Sequence, residues 1–145
     1  MHRAVLDTNV FLDCWVFEDP AAQPLRVALE ARRIVTVRSP ATDAELTDVL
    51  ARPAFGLAAT QRDALYKAWC EMAVPFDVGA APAPVRCADP DDQKFLDLAY
   101  AAQARVLFSR DKALLATTVR ARTYGLRVAA PAAMASVLLF EDDLL

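Results

Sequence analysis

Four short apolar runs, each closed by polar or proline-containing residues, punctuate the chain. Residues 3–6 end at Asp7, residues 34–37 are β-branched and end at Arg38, Ser39 and Pro40, and residues 106–108 and 126–129 complete the set. Runs of this length with such boundaries predict buried strands. Between them, apolar positions recur at helical spacing. Ser39 supplies an N-cap and Pro40 a first helical position, with Leu46, Val49 and Leu50 facing the core and an end near Pro53. Residues 60–72 carry Leu65, Trp69 and Met72 on one stripe, read as core packing of a scaffold helix. Asp89, Pro90 and Asp92 start a further helix, buried along Phe95, Leu98, Ala99 and Ala102. Asp111 opens a helix through Leu114 and Leu115, and Pro131 opens the last.

Residues 78–85 hold three alanines and two prolines after a glycine, which reads as an extended connector inside one domain. Strands alternating with helices imply a parallel sheet with right-handed crossovers and helices on both faces. The expected architecture is α/β: a three-layer α/β/α sandwich with a central parallel sheet, formed as a single domain over residues 1–145.

Composition supports a packed core. The hydrophobic share of 56% exceeds the roughly 45–50% of an average soluble protein. Cys14, Cys70 and Cys87 are odd in number and irregularly spaced, which suits reduced thiols rather than a disulfide framework. The longest weakly polar stretch, residues 128–140, contains Pro131 and Ser136 and is too short for a membrane span. Asp7 and Asp13 interrupt what would be the apolar region of a signal peptide, so the protein is expected to be cytoplasmic. The single histidine, His2, precedes the first strand, which removes imidazole-dependent catalysis and most zinc sites. A net charge of −3 gives no long-range pull toward a polyanion, although Arg105, Arg110, Lys112, Arg120, Arg122 and Arg127 gather in the last third of the chain.

Chemistry is left to carboxylates. In a parallel sheet the residues just past the strand C-termini share one edge, where open α/β folds bind ligands. Asp7 follows the first strand there, and Asp111 follows the 106–108 strand after Ser109 and Arg110. Glu45 lies on the helix after the second strand, and Asp89, Asp91 and Asp92 begin the helix that feeds the third. Each acid has a structural alternative: Asp7, Asp89 and Asp111 as helix caps, and Glu45, Asp91 and Asp92 as capping-box or solvated residues. Capping alone does not account for several acids on one edge. Clustered carboxylates raise one another's pKa unless a cation sits among them, and hard oxygen donors without histidine or cysteine point to Mg²⁺ or Mn²⁺.

The segments Val5-Leu6-Asp7-Thr8-Asn9-Val10, Ser39-Pro40 with Glu45-Leu46 and Val49-Leu50-Ala51-Arg52-Pro53, Asp89-Pro90-Asp91-Asp92, and Leu107-Phe108-Ser109-Arg110-Asp111 occur in that order. Together, over about residues 3–135, they resemble the PIN-domain family, and more narrowly the toxins of toxin–antitoxin pairs. The resemblance implies a metal-dependent endoribonuclease with an acidic tetrad, acting on single-stranded RNA and restrained by an antitoxin protein. It puts Asp7, Glu45 and Asp111 at the first, second and fourth acids, with Asn9 and Ser109 as supporting polar residues. The third acid usually stands just before Lys94, where this chain has Gln93. Asp92 and Asp97 are both open as its replacement, the first adjacent in the chain and the second one helical turn on. A carboxylate introduced at Gln93 is expected to tighten Mn²⁺ binding. Arg110 and Lys112 are candidates to hold flanking phosphates, and the 60–72 helix offers apolar surface for a homodimer.

Two other classes compete. An aspartyl-phosphate phosphotransferase also places an aspartate after its first strand but wants a second one two residues on, where Asn9 stands. A non-cleaving module that binds RNA or protein would be consistent with Gln93.

Overall fold

A computed structural model describes residues 2–134. Five parallel strands form one sheet in the order β3-β2-β1-β4-β5. They are β1 (His2–Leu6), β2 (Ile34–Arg38), β3 (Val74–Pro75), β4 (Val106–Phe108) and β5 (Arg127–Ala129). Helices α1 (Thr8–Trp15) and α2 (Gln23–Glu30) link β1 to β2, and α3 (Pro40–Leu50) and α4 (Ala59–Met72) link β2 to β3. Helix α5 (Gln93–Ala101) precedes β4, and α6 (Lys112–Leu115) and α7 (Thr118–Thr123) precede β5.

Alternation along the strands builds the layers. Ala4, Leu6, Ile34, Val106 and Phe108 pack to one side with Val10, Phe11, Leu25, Leu29, Leu46 and Trp69 of α1 to α4. Val5, Val37, Leu107 and Val128 pack to the other with Phe95, Leu98, Leu114 and Ala121 of α5 to α7. The α/β/α sandwich is therefore the observed fold. One strand escaped the sequence reading: β3 is two exposed residues, one of them proline, and pairs only with Val37 and Arg38 at the sheet edge. The expected last helix begins as a 3-10 turn at Pro131–Ala133, and its remainder lies outside the described residues.

The helix that carries Glu45 is set by its first turn. Ser39 is buried and its Oγ accepts from the Thr42 N–H at 3.3 Å, while the Ser39 N–H donates to Thr42 Oγ1 at 3.0 Å. Pro40 follows at the first helical position, where its missing N–H costs nothing. Ser39→Ala is expected to lower stability by about 0.5–2 kcal/mol, read as the urea midpoint with an unchanged m-value.

Candidate active site at the strand C-termini

Parallel pairing of β1 with β4 puts Leu6 opposite Phe108, and the Asp7 N–H continues the ladder to Phe108 O at 3.0 Å. Asp7 and Ser109 consequently leave adjacent strands side by side. Ser109 is fully buried; its Oγ donates to Asp7 Oδ2 at 2.7 Å and accepts from the Asp111 N–H at 2.9 Å. One hydroxyl thus ties the first acid to the backbone of the last. Asp111 does cap α6, its Oδ1 accepting from Ala113 and Leu114 N–H at 2.8 and 3.4 Å.

Glu45 enters from the neighbouring helix with both oxygens engaged. Thr8 Oγ1 donates to Oε2, and Lys94 Nζ, from the layer on the other side of the sheet, lies 3.0 Å from Oε1. Neither Thr8 nor Lys94 was singled out from the sequence. Their signal was available: Thr8 directly follows the first acid, and Lys94 is the cation beside the residue expected to be acidic.

The residue at the expected third-acid position faces another task. Gln93 Oε1 accepts from the Cys87 N–H at 2.7 Å, and its Nε2 donates to Val85 O at 3.1 Å and to Asp97 Oδ1 at 3.0 Å. Gln93 is a latch on the 85–87 segment, and it occupies Asp97. Asp92 behaves differently. A 3-10 turn at Pro90–Asp92, capped by Asp89 Oδ1 on the Asp91 N–H at 3.0 Å, precedes α5, and Asp92 Oδ2 is buried without a hydrogen-bond partner. Burial, then the charges of Asp111, Asp7, Asp89 and Glu45, push its carboxyl up to about 7. Asp7 is also raised, chiefly by burial and further by Glu45 and Asp111, against the lowering effect of Ser109 and the Asn9 backbone.

Asp7, Glu45, Asp92, Asp111 and Ser109 therefore share one electrostatic environment. Asn9 is exposed in the first turn of α1, and Asp97 is turned to Gln93. Arg110, a candidate phosphate ligand, is also engaged within the protein: its Nε and Nη2 grip the buried Asp13 Oδ2 and Oδ1 at 2.6 and 2.8 Å. Such a two-point fork fixes the loop between Ser109 and Asp111 to α1. Among the described residues no three His, Cys, Asp or Glu side chains form a ready-made metal cage. The donor set nevertheless fits a hard cation, because it is entirely oxygen, mutually repelling, and includes the unpartnered Asp92 Oδ2.

Residues 3–113 match the family description PIN domain. No curated protein matches the chain. Among solved structures, a chain from the crystal structure of VapBC2 from Rickettsia felis bound to a DNA fragment from their promoter is similar in fold, with a TM-score of 0.57. It is 14% identical over 87% of this chain and 96% of that one.

Two outcomes follow from the geometry. An acid raised in the folded state favours folding while protonated and loses that contribution as pH rises toward its folded value. The melting temperature of the metal-free protein is expected to fall between about pH 4 and pH 7 and to level off above that, and Asp92→Asn to remove most of that fall. The second concerns Gln93→Asp, which loses two donated hydrogen bonds and sets a carboxylate beside Asp97. The latch reverses the sequence-based expectation: the substitution should destabilise by about 1–3 kcal/mol in urea denaturation and leave Mn²⁺ affinity no tighter by calorimetry.

Proposed function

Since the chain belongs to the PIN-domain family, we propose that it is a Mg²⁺- or Mn²⁺-dependent endoribonuclease that cuts single-stranded RNA, and the toxin of a toxin–antitoxin pair. PIN domains are generally nucleases, and the observation that carries the reading here is the buried, unpartnered Asp92 Oδ2 among Asp7, Glu45 and Asp111. The antitoxin partner is supported by the similar fold in the VapBC2 complex.

Asp7, Glu45, Asp92 and Asp111 would hold the cation, directly or through water, as Mg²⁺ prefers. The cation supplies Lewis acidity and a lowered pKa for an attacking water. Ser109 keeps Asp7 oriented through its Oγ, and Asp13 with Arg110 keeps the Asp111 loop in place. Thr8 and Lys94 hold the two Glu45 oxygens from opposite sides. Water attacks phosphorus in line, the P–O3′ bond breaks, and the 3′ oxygen leaves and takes up a proton. The set favours Mg²⁺ or Mn²⁺ over Zn²⁺, because His2 starts β1 and so sits at the end of the sheet away from the acids.

A second reading, a binding module that does not cut, draws on Gln93 and on the Lys94–Glu45 pair, which gives one acid an internal counter-charge. Incubation of the purified protein with unstructured RNA separates the two. Cleavage should require Mg²⁺ or Mn²⁺, stop reversibly with EDTA, and fall at least about a hundredfold in Asp7→Asn and Asp111→Asn. Asparagine at 111 retains the cap on α6 and asparagine at 7 retains an oxygen to accept from Ser109, so both variants should melt no lower than the parent. Full activity in either variant refutes the assignment. No cleavage by the parent, with unimpaired growth of cells expressing it, favours the binding module.

A further inference from the structure

Two grooves on the α5 and α7 side of the molecule, with Tyr124 in the lining of both, carry cations and aromatic rings and, among the described residues, no acid. The larger, about 660 Å³, lies at the start of the strands and is lined in part by Arg3, Tyr100, Gln103, Arg105 and Tyr124. The smaller, about 260 Å³, is lined by Pro84, Val85, Arg120, Thr123 and Tyr124. Tyr124 is the wall they share. No Asp or Glu lines either one among the described residues, in a chain whose net charge is −3.

The side chains are arranged to meet a ligand. Tyr124 is 57% exposed and stands edge-on to Tyr100, ring centroids 6.5 Å apart, which supports its ring and leaves it open to stacking. Arg3 is preset by a hydrogen bond to Ala102 O at 2.8 Å and by the Phe76 ring at 5.3 Å. Arg105 is exposed and makes no ion pair or side-chain hydrogen bond among the described residues. Gly125, at φ +85, turns the chain out of α7 and keeps the groove wall beside Tyr124 free of a side chain.

The path continues to the carboxylates. Arg120 Nη2 donates to Arg86 O at 3.3 Å, Gln93 pins Val85 O and the Cys87 N–H, and Cys87 lies within the electrostatic reach of Asp92, Asp111 and Asp89. Residues 84–87 therefore lead from the smaller groove to the acidic cluster. We propose that these grooves are an accessory binding track for single-stranded RNA, with a base stacked on Tyr124 and phosphates held by Arg105 and Arg120. Cations spaced along a groove and an exposed aromatic ring suit a single strand, whose bases are free to stack, rather than a duplex. The choice of RNA rests on the ribonuclease reading.

The test measures affinity of the full-length protein in EDTA, by fluorescence anisotropy with a labelled, unstructured RNA of about twelve nucleotides, a length within the usual range of single-strand sites. Tyr124→Ala should weaken binding about tenfold and Tyr124→Phe should not. Arg105→Ala and Arg120→Ala should each lower the slope of log Kd against log salt by about 0.7. In turnover with Mn²⁺, the three weakened variants should raise KM for the long RNA with kcat unchanged, and cleave a substrate of two nucleotides as the parent does. Arg105 precedes β4 and Asp111 follows it, so the two flank the strand at opposite ends, and a two-nucleotide substrate is the shortest that carries a scissile phosphate. Unchanged affinity and salt slope in all variants, or equal competition by duplex RNA, overturns the proposal and leaves the groove to a protein partner. RNA binding that depends on these residues in a protein that does not cut upholds the track and removes the ribonuclease reading. Cleavage with KM unchanged in the variants does the reverse.

Discussion

The register of β1 against β4 is the constraint on which the site depends. With Leu6 opposite Phe108, the first acid and Ser109 emerge from adjacent strands at the same level, and no slip of the pairing would preserve that. The register is itself held by burial. Val5 and Leu107 pack into one face of the sheet while Leu6 and Phe108 pack into the other, so a one-residue shift would exchange the layers. The hydrophobic core and the site are thus positioned by the same pairing. Ser109 then turns proximity into an arrangement, since its single hydroxyl donates to Asp7 and accepts from the Asp111 backbone.

Bringing acids together in a half-buried place has a cost that the protein meets unevenly. Glu45 has a cation at 3.0 Å and a hydroxyl, Asp111 has two helix N–H groups, and Asp7 has Ser109. Asp92 is left with a buried oxygen that nothing satisfies and a carboxyl pushed up to about 7. The imbalance is informative, because helix capping or solvation would have given Asp92 its own donor or water-facing position. The strain is concentrated on the acid nearest the residue where the family pattern is broken.

Strands and layers were legible because each main strand is a compact apolar run with a clear polar end, and the helices that cover them start at recognisable caps. β3 was not, since two exposed residues including Pro75 have no period to detect. The first and last acids were legible for the same reason as the strands: Asp7 and Asp111 are placed by strand ends. The third was not. Helical geometry alone leaves Asp92 and Asp97 open, because the angle around α5 depends on where α5 begins, and a 3-10 turn at Pro90–Asp92 delays that start. Which side chain faces the cluster is decided instead by the contacts of Gln93 with Val85 and Cys87 in the irregular segment before the helix, which no helical or strand period reports. The same holds for Arg110, whose neighbours suggest a phosphate ligand and do not report its grip on Asp13, far away in the chain.

Gln93 is then better understood as a change of task than as the loss of an acid. An aspartate has two acceptors and no donor when ionised, so it could not hold Val85 O or share a proton with Asp97. The amide does both, and also accepts from Cys87, which anchors an otherwise irregular connector directly beside the carboxylates. Asp92, one residue earlier, is carried by the turn that this anchoring sets. On the proposed reading the third acid is Asp92, one position earlier in the chain, and Gln93 secures the backbone beside the cluster. Because that backbone is also the last stretch of the path leading in from Tyr124, the geometry of the acids and the approach to them are coupled through a single side chain.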